Sequence, residues 1–182
     1  MTTTPLTLVT ALALSAGVPA TTASGLAAPR AVRSAIATGG AEVPATMAGW
    51  RAVDIDGRTW SPEALRGRIV LVDFWATWCA PCLADLPRLK RLHARYASDG
   101  LAILGVSLDR SSPRDFRSWL QRQAIGWPQV RERGGYESPL ARHFGVEAIP
   151  ASFLFDRNGR LLDANLRGAT LETRVAALME AR

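Results

Sequence analysis

The stretch Ile69-Val70-Leu71-Val72-Asp73-Phe74-Trp75, closely followed by Cys79-Ala80-Pro81-Cys82, decides the fold of this chain. The first stretch is a near-continuous apolar run, which is typical of a strand covered on both faces. Behind the cysteines, leucines recur at helical spacing, at Leu83, Leu86, Leu89 and Leu92. We therefore predict a central strand over about 68–75 and a helix over about 80–97, with the cysteine pair where the helix begins.

The cysteine pair has a placement that suits two-electron chemistry. A helix N-terminus offers free backbone N–H groups and partial positive charge, and both favour a thiolate over a thiol. Two intervening residues let the sulfurs meet within one turn, so a disulfide can open and close without refolding. Because Cys79 and Cys82 are the only cysteines in the chain, they are not the staple of a small secreted scaffold. The pair is catalytic, metal-binding or inert.

The rest of the pattern alternates strands and helices. Two short extended pieces around Asp56-Gly57 indicate a hairpin, and a second buried strand is predicted over 101–108. Helices are predicted after Ser112-Pro113, after Ser138-Pro139 and at the C-terminus, with a strand hairpin over 151–164 before the last one. The order hairpin, β, α, β, α, short α, β, β, α implies a parallel core extended by antiparallel strands.

Composition limits the classes of function. The chain has 182 residues, of which 48% are hydrophobic, so one domain with a real core is expected. Its net charge of +6 comes almost entirely from arginines that are scattered without a block of like charges. Nucleic acid is therefore not an expected partner. His93 and His143 have no finger spacing from the cysteines, so no metal site is expected either.

The first residues have a different character. Residues 6–18 carry no charge and are followed by small-x-small triplets, as in a secretory signal. We predict a signal peptide over 1–27, a flexible linker over 28–44 and a folded domain over 45–182, with export to the periplasm or another extracytoplasmic space. A membrane anchor is not favoured, because a bilayer span needs ~20 apolar residues. No Lys or Arg precedes the apolar run, so a disordered leader or a start codon placed too early is the alternative.

The run from Val72 to Cys82, with Pro87 inside the next helix and Ile149-Pro150 before a strand, resembles the thioredoxin fold. The N-terminal hairpin and the extra helical segment are more similar to the exported TlpA/ResA-like thiol-disulfide oxidoreductases than to short cytosolic thioredoxins. The resemblance covers roughly 43–182. It implies an α/β, thioredoxin-like fold with a central mixed sheet flanked by helices and an N-terminal β-hairpin extension. It also implies that no cofactor is needed.

The resemblance assigns roles to four residues. Cys79 is expected to be the exposed, attacking nucleophile and Cys82 the resolving thiol that releases the partner. Asp73 lies inside an apolar strand, so burial should raise its pKa, and the family uses this position as the proton acceptor for the deeper cysteine. The alternative is a carboxylate that pairs with an arginine. Asp85 stands where family members carry an acid near the active site, usually Glu; the alternative is a solvated helix charge.

Further residues are candidates for substrate binding. In the family the proline of Ile149-Pro150 is cis and faces the cysteines, which leaves the preceding backbone free to pair with a substrate strand. Trp78 and Pro81 adjoin the cysteines and complete the predicted set. Neither Ala80 nor Pro81 has a side chain that could hold a thiolate by a hydrogen bond, which indicates a couple on the reducing side.

The sequence therefore predicts an enzyme, a monomer that reduces protein disulfides outside the cytoplasm. Its expected partners are disulfide-containing protein substrates and an upstream membrane or periplasmic thiol reductant. Cytochrome c maturation or extracytoplasmic redox homeostasis would fit the family. The alternative function is a copper-binding metallochaperone on the same fold, because thiolates suit Cu(I). Peroxiredoxin-like activity is disfavoured, since no isolated peroxidatic cysteine with an upstream Thr and a separate resolving cysteine is present.

Overall fold

A computed structural model describes residues 1–2 and 44–181 of the chain. The predicted signal peptide over 1–27 and linker over 28–44 fall almost entirely outside the described residues and stay predictions. Within the described part, no helix combines the length and the apolar character that crossing a membrane requires.

Seven strands and four α-helices form the described part of the chain. The strands are β1 (Ala52–Val53), β2 (Thr59–Trp60), β3 (Ile69–Trp75), β4 (Leu101–Ser107), β5 (Gln129–Arg131), β6 (Ala151–Phe155) and β7 (Leu161–Ala164). The helices are α1 (Ala80–Tyr96), α2 (Pro113–Arg122), α3 (Pro139–His143) and α4 (Gly168–Glu180), with short 3-10 segments at Glu63–Leu65 and Gly135–Glu137.

The sheet is mixed and has β3 at its centre. Its strand order is β5-β4-β3-β6-β7, and β1 and β2 form a separate hairpin around Asp56-Gly57. Strand β3 runs parallel to β4 and antiparallel to β6, while β5 is parallel to β4 and β7 antiparallel to β6. This confirms the predicted mixed sheet with an N-terminal hairpin. The sequence prediction missed β5, which has only three residues and lies behind the Trp127-Pro128 break.

The two faces of β3 pack against different parts of the protein. Alternate residues point to opposite faces of a strand, so Val70, Val72 and Phe74 share one face and Ile69, Leu71, Asp73 and Trp75 the other. The first set packs into an apolar core with Phe144, Phe153 and Phe155. The second face is covered by α1 and α4, whose buried side chains are Leu86, Leu89, Leu92, Tyr96, Leu171, Val175 and Met179. Removal of this apolar surface from water is the main stabilising contribution to the fold.

Helix ends follow local sequence signals. The Ser112 hydroxyl accepts a hydrogen bond from the Asp115 N–H at 3.1 Å and caps α2, with Pro113 at the first helical position. Helix α1 ends before Gly100, which has a φ of +104°, a region that glycine enters without steric cost. These signals explain why the predicted helix bounds agree closely with the observed ones.

Both outer strands of the sheet meet the N-terminal segment, defined here as residues 45–60. At one edge, the Ile55 N–H donates to the Gln129 carbonyl at 2.9 Å, and Asp54 bridges to Val130 of β5. At the other edge, the Leu161 N–H donates to the Ala45 carbonyl at 2.9 Å where β7 begins. The segment thus occupies backbone groups of β5 and β7 that sheet pairing leaves free.

Candidate active site

Cys79 and Cys82 form a disulfide at the N-terminus of α1, with their Cα atoms 5.3 Å apart. Cys79 is the N-cap residue of the helix, and its Sγ accepts a hydrogen bond from the Cys82 N–H at 3.3 Å. A backbone N–H directed at this sulfur, together with the positive end of the helix dipole, favours negative charge there once the disulfide is opened. The predicted placement of the pair is confirmed.

The prediction of an exposed Cys79 is wrong for this disulfide form. Cys79 and Cys82 are equally buried, each with 5% of its surface exposed. Both pack into a cluster with Trp75, Phe116 and Leu120, which leaves little of either residue open to solvent. The exposed surface next to the pair comes from its neighbours in the chain: Trp78 is 61% exposed, and Ala80 and Pro81 are also exposed.

Asp73 lies on the face of β3 that also carries Trp75, a member of the cysteine cluster. Its carboxylate has no hydrogen bond or salt bridge with any residue in the described part of the chain. Its side chain is partly buried. Loss of hydration raises the pKa of Asp73 to about 7; the positive charge of Arg167 opposes this rise, and the negative charge of Asp85 adds to it. The expected raised pKa is confirmed.

Asp85 lies one turn after Cys82 on α1. Its carboxylate is 3.8 Å from the Arg88 Nε, and its side chain is 21% exposed. This pairing with Arg88 agrees with the alternative interpretation, in which Asp85 is a solvated charge on the helix surface. Its charge nevertheless acts on Asp73, because it contributes to the raised pKa of that carboxyl. The structure therefore brings Asp85 into the electrostatic neighbourhood of Asp73.

The Ile149-Pro150 peptide bond is cis, as the resemblance implied. Ile149 is partly buried and packs against the cluster that contains both cysteines. Pro150 directly precedes β6, the neighbour of β3 in the sheet. The loop before β6 and the helix start after β3 thus meet, as substrate pairing beside the disulfide requires; the binding roles of Trp78, Pro81, Ile149 and Pro150 stay predictions.

Sequence reasoning missed Asp109, which anchors the loop before Cys79. This aspartate is 2% exposed. It accepts hydrogen bonds from the Thr77 N–H at 2.9 Å, the Thr77 hydroxyl at 2.6 Å and the Ser107 hydroxyl at 2.7 Å. The available signal was its position two residues beyond the end of β4, because the carboxyl ends of parallel strands lie at one edge of a sheet.

Gln129 of the unpredicted strand β5 also supports the site. Its Oε1 accepts a hydrogen bond from the Trp75 Nε1–H at 3.0 Å, and both residues are buried. Gly105 of β4 lies opposite, and a Cβ at this position would overlap the Gln129 side chain. The Gln129 amide thereby holds Trp75 beside the cysteines. It has room to do so because residue 105 is a glycine, and a larger residue at this position would fill the space that the amide occupies.

The two histidines lie in aromatic surroundings rather than beside the disulfide cluster. The ring of His93 packs against Trp127, with centroids 5.6 Å apart, and the ring of His143 packs against Phe144, with centroids 5.1 Å apart. Among residues 44–181, no group of three or more His, Cys, Asp or Glu side chains is placed to hold a metal ion.

Curated proteins of known name are similar to this chain in sequence. The chain is 26% identical over 109 residues to the thiol-disulfide oxidoreductase ResA of Bacillus thuringiensis subsp. konkukian, covering 60% of this chain and 61% of the relative. It is 30% identical over 109 residues to ResA of Geobacillus thermodenitrificans, covering 59% of this chain and 60% of the relative. The chain thus spans about three fifths of the length of these curated relatives.

Solved structures agree with the sequence relatives. A thiol-disulfide oxidoreductase from Bacteroides fragilis superimposes with a TM-score of 0.66 at 26% identity, covering 73% of this chain and 98% of that structure. Residues 40–164 match the AhpC/TSA family. Because this match takes in well over half of the sequence, the chain belongs to the AhpC/TSA family and has its thioredoxin-like fold.

Proposed function

We propose that this protein is a thiol-disulfide oxidoreductase that reduces protein disulfides outside the cytoplasm through the Cys79/Cys82 couple. The observation that carries the proposal is the disulfide at the start of α1, with the Cys82 N–H on the Cys79 Sγ and a carboxyl of pKa about 7 on the same face of the sheet. The names of the ResA relatives agree with this chemistry.

The first step uses the reduced form of the protein. Cys79, as a thiolate, attacks one sulfur of the substrate disulfide. A bond forms between Cys79 and that sulfur, the substrate S–S bond breaks, and the other substrate sulfur leaves as a thiolate that takes a proton from water. The product is a mixed disulfide between the protein and its substrate.

The second step releases the substrate. Cys82 attacks the Cys79 Sγ, its proton passes to the Asp73 carboxylate, and the remaining substrate sulfur leaves as a thiol once it is protonated. A carboxyl with a pKa of about 7 is suited to this task, because an effective general base has its pKa near the working pH. Two electrons have then moved to the substrate, and a thiol reductant must reopen the Cys79–Cys82 disulfide.

The same proposal has four further parts. The protein is exported, it is a monomer, its substrates are proteins, and an upstream thiol reductant restores its dithiol form. The apolar leader over residues 6–18 supports export. Neither Ala80 nor Pro81 has a side chain that could stabilise a thiolate, and this supports a reducing couple. We therefore expect a reduction potential below about −220 mV. Cytochrome c maturation is one task that such a reductant would serve.

Insulin reduction with dithiothreitol tests the activity. Wild type should accelerate precipitation of the insulin B chain, and Cys79→Ser should be no faster than dithiothreitol alone, because the attacking sulfur is gone. Cys82→Ser is the matched control: it keeps the nucleophile, and once reduced, freed of dithiothreitol and mixed with insulin it should accumulate a mixed disulfide, visible by mass spectrometry as an adduct that added reductant removes. Equal rates for wild type and Cys79→Ser would refute the proposal.

A further inference from the structure

A groove of about 470 Å³ opens beside the cysteine pair. Trp78 and Tyr136 form its aromatic walls and are 61% and 37% exposed. Leu108 and Asp109, at the end of β4, lie in its lining and are each only 2% exposed. Arg110 follows them in the lining and is exposed. The groove thus combines exposed aromatic surface, a buried apolar side chain and a cation, and its wall residue Trp78 directly precedes Cys79 in the chain.

The exposed charge of the groove is positive, because Arg110 is exposed whereas Asp109 is only 2% exposed. Asp109 is the one carboxylate in its lining, and both of its oxygens already accept hydrogen bonds from Thr77 or Ser107. Arg110 has no salt bridge and no side-chain hydrogen bond with any residue in the described ranges. Its guanidinium is therefore available to a ligand.

Neighbouring charges strengthen this imbalance. Arg131 donates to the Ser111 carbonyl, which belongs to the groove wall. Burial lowers the pKa of Arg131, the positive charge of Arg133 lowers it further, and the negative charge of Asp109 opposes the change. Glu137 follows Tyr136 but lies 4.0 Å from the Arg142 guanidinium. An anionic ligand is thus favoured over a cationic one.

The sheet order sets the direction in which a substrate chain would run. The disulfide follows β3, the cis proline precedes β6 on one side of β3, and the groove lies where β4 ends on the other side. A polypeptide that pairs beside Ile149 and passes over Cys79 would therefore enter the groove with its next residues.

Building on the proposed function, we propose that the groove formed by Trp78, Leu108, Arg110 and Tyr136 binds the segment of a substrate polypeptide that adjoins its reacting cysteine. The groove selects a segment with an acidic side chain, which pairs with Arg110, and an apolar or aromatic side chain, which packs between Trp78 and Tyr136. Aromatic walls with few rotatable bonds make such contacts at low entropic cost, and the volume is in the range of a short peptide segment.

The test compares two peptides that differ in one charge. Each carries a single cysteine joined by a disulfide to thionitrobenzoate, a leucine, and either Glu or Lys two residues from the cysteine. Reduced protein attacks the peptide sulfur through Cys79, and thionitrobenzoate leaves with the electron pair of the broken S–S bond, so its absorbance gives the second-order rate constant. The Glu/Lys rate ratio within each variant is the readout, which cancels differences in the fraction of active protein.

We expect wild type to favour the Glu peptide about fivefold, the upper range for a partly exposed ion pair. Arg110→Gln should bring the ratio to about one, and Arg110→Glu should invert it. The preference should also largely disappear in 1 M salt, where the Debye length falls to about 3 Å. Arg122→Glu is the matched control, since this exposed arginine makes the same charge change outside the groove lining and should keep the wild-type ratio.

A wild-type ratio near one, or equal loss of the ratio in Arg110→Glu and Arg122→Glu, overturns the inference. Failure of the proposed function looks different: wild type would then also fail to react faster than free thiol with uncharged 2,2′-dithiodipyridine. Reaction with glutathione disulfide gives the remaining comparison. If Arg110→Glu slows it as strongly as it slows the Glu peptide, the groove takes a small anionic disulfide and the assignment to a polypeptide is wrong.

Discussion

Asp73 lies on β3 and Asp109 lies just beyond the end of the neighbouring strand β4, yet their carboxylates have opposite surroundings. Asp109 accepts three hydrogen bonds from Thr77 and Ser107. Asp73 accepts none from the described residues, and loss of hydration raises its pKa to about 7. The comparison teaches that the supply of hydrogen-bond donors, more than depth in the protein, separates a carboxylate that holds a loop from one left without such bonds, as the proposed proton transfer at Asp73 requires.

The largest expected effect is on the pH dependence of unfolding of the oxidised protein. The pKa of Asp73 is about 7 in the folded state, against 3.8 for an unperturbed aspartate, so the folded state binds this proton more tightly than the unfolded state. The resulting stability is fully present below the lower value and is lost as pH rises through the higher one. Relative to wild type, Asp73→Asn should therefore gain about 4 kcal/mol between about pH 4 and pH 8. Urea unfolding at a series of pH values measures the difference, and a difference that stays flat across this range would contradict the assigned pKa.

Asp109→Asn should have the opposite consequence for stability. The amide keeps the shape but replaces one acceptor oxygen with a donor group, which leaves the Thr77 or Ser107 donors without a partner. We expect a loss of about 3 kcal/mol in the free energy of unfolding. Urea unfolding at neutral pH checks this, with the exposed Asp99→Asn as the control that removes a charge without these bonds. A loss no greater than that of the control would show that Asp109 is not a structural anchor.

The proposed role of Asp73 as proton acceptor for Cys82 predicts that Asp73→Asn slows release of the mixed disulfide about 100-fold at neutral pH, the usual scale for loss of a general base. Formation of the mixed disulfide by Cys79 should change far less, since that step does not need the Cys82 proton to be removed. Acid quenching of single turnovers, followed by mass spectrometry of the adduct, separates the two steps. Equal slowing of both steps would point to a general disturbance of the site.

The smallest effect concerns Asp85. Its negative charge contributes to the raised pKa of Asp73, so Asp85→Asn should lower that pKa by about half a unit, the scale of a solvent-screened charge pair. Carboxyl ¹³C NMR of the oxidised protein follows the titration directly. Asp99→Asn removes a charge just beyond the other end of α1 and should leave the titration unchanged, so the same shift in both variants would rule out a local action of Asp85.

Much of the frame could be predicted from the sequence because its signals are local. The apolar run before Cys79 gives β3, the leucine spacing gives α1, and serine–proline pairs give the starts of α2 and α3. Asp73 could be singled out because a lone carboxylate inside such a run has few ways to stay hydrated. The cis bond at Ile149-Pro150 came from the family resemblance, since an X-Pro bond is cis in only about 5% of cases.

The features that escaped prediction depend on contacts between distant parts of the chain. Strand β5 is too short and too polar to show a period, and Gln129 is buried because its amide meets Trp75, 54 residues earlier in the sequence. Asp109 looked like an ordinary loop acid, because its partner Thr77 lies 32 residues away. The burial of Cys79 follows from Phe116 and Leu120 of α2, which no pattern around the cysteines reveals.

The attachment of the N-terminal segment to β5 and β7 has a consequence for a protein that has lost this segment. An outer strand with free N–H and C=O groups is a template on which another chain can add. Because residues 45–60 occupy such groups at both edges of the sheet, proteolytic removal of this segment would uncover both edges at once. Self-association into ordered aggregates, rather than loss of the disulfide chemistry, is then the first failure to expect from a protein trimmed past Trp60.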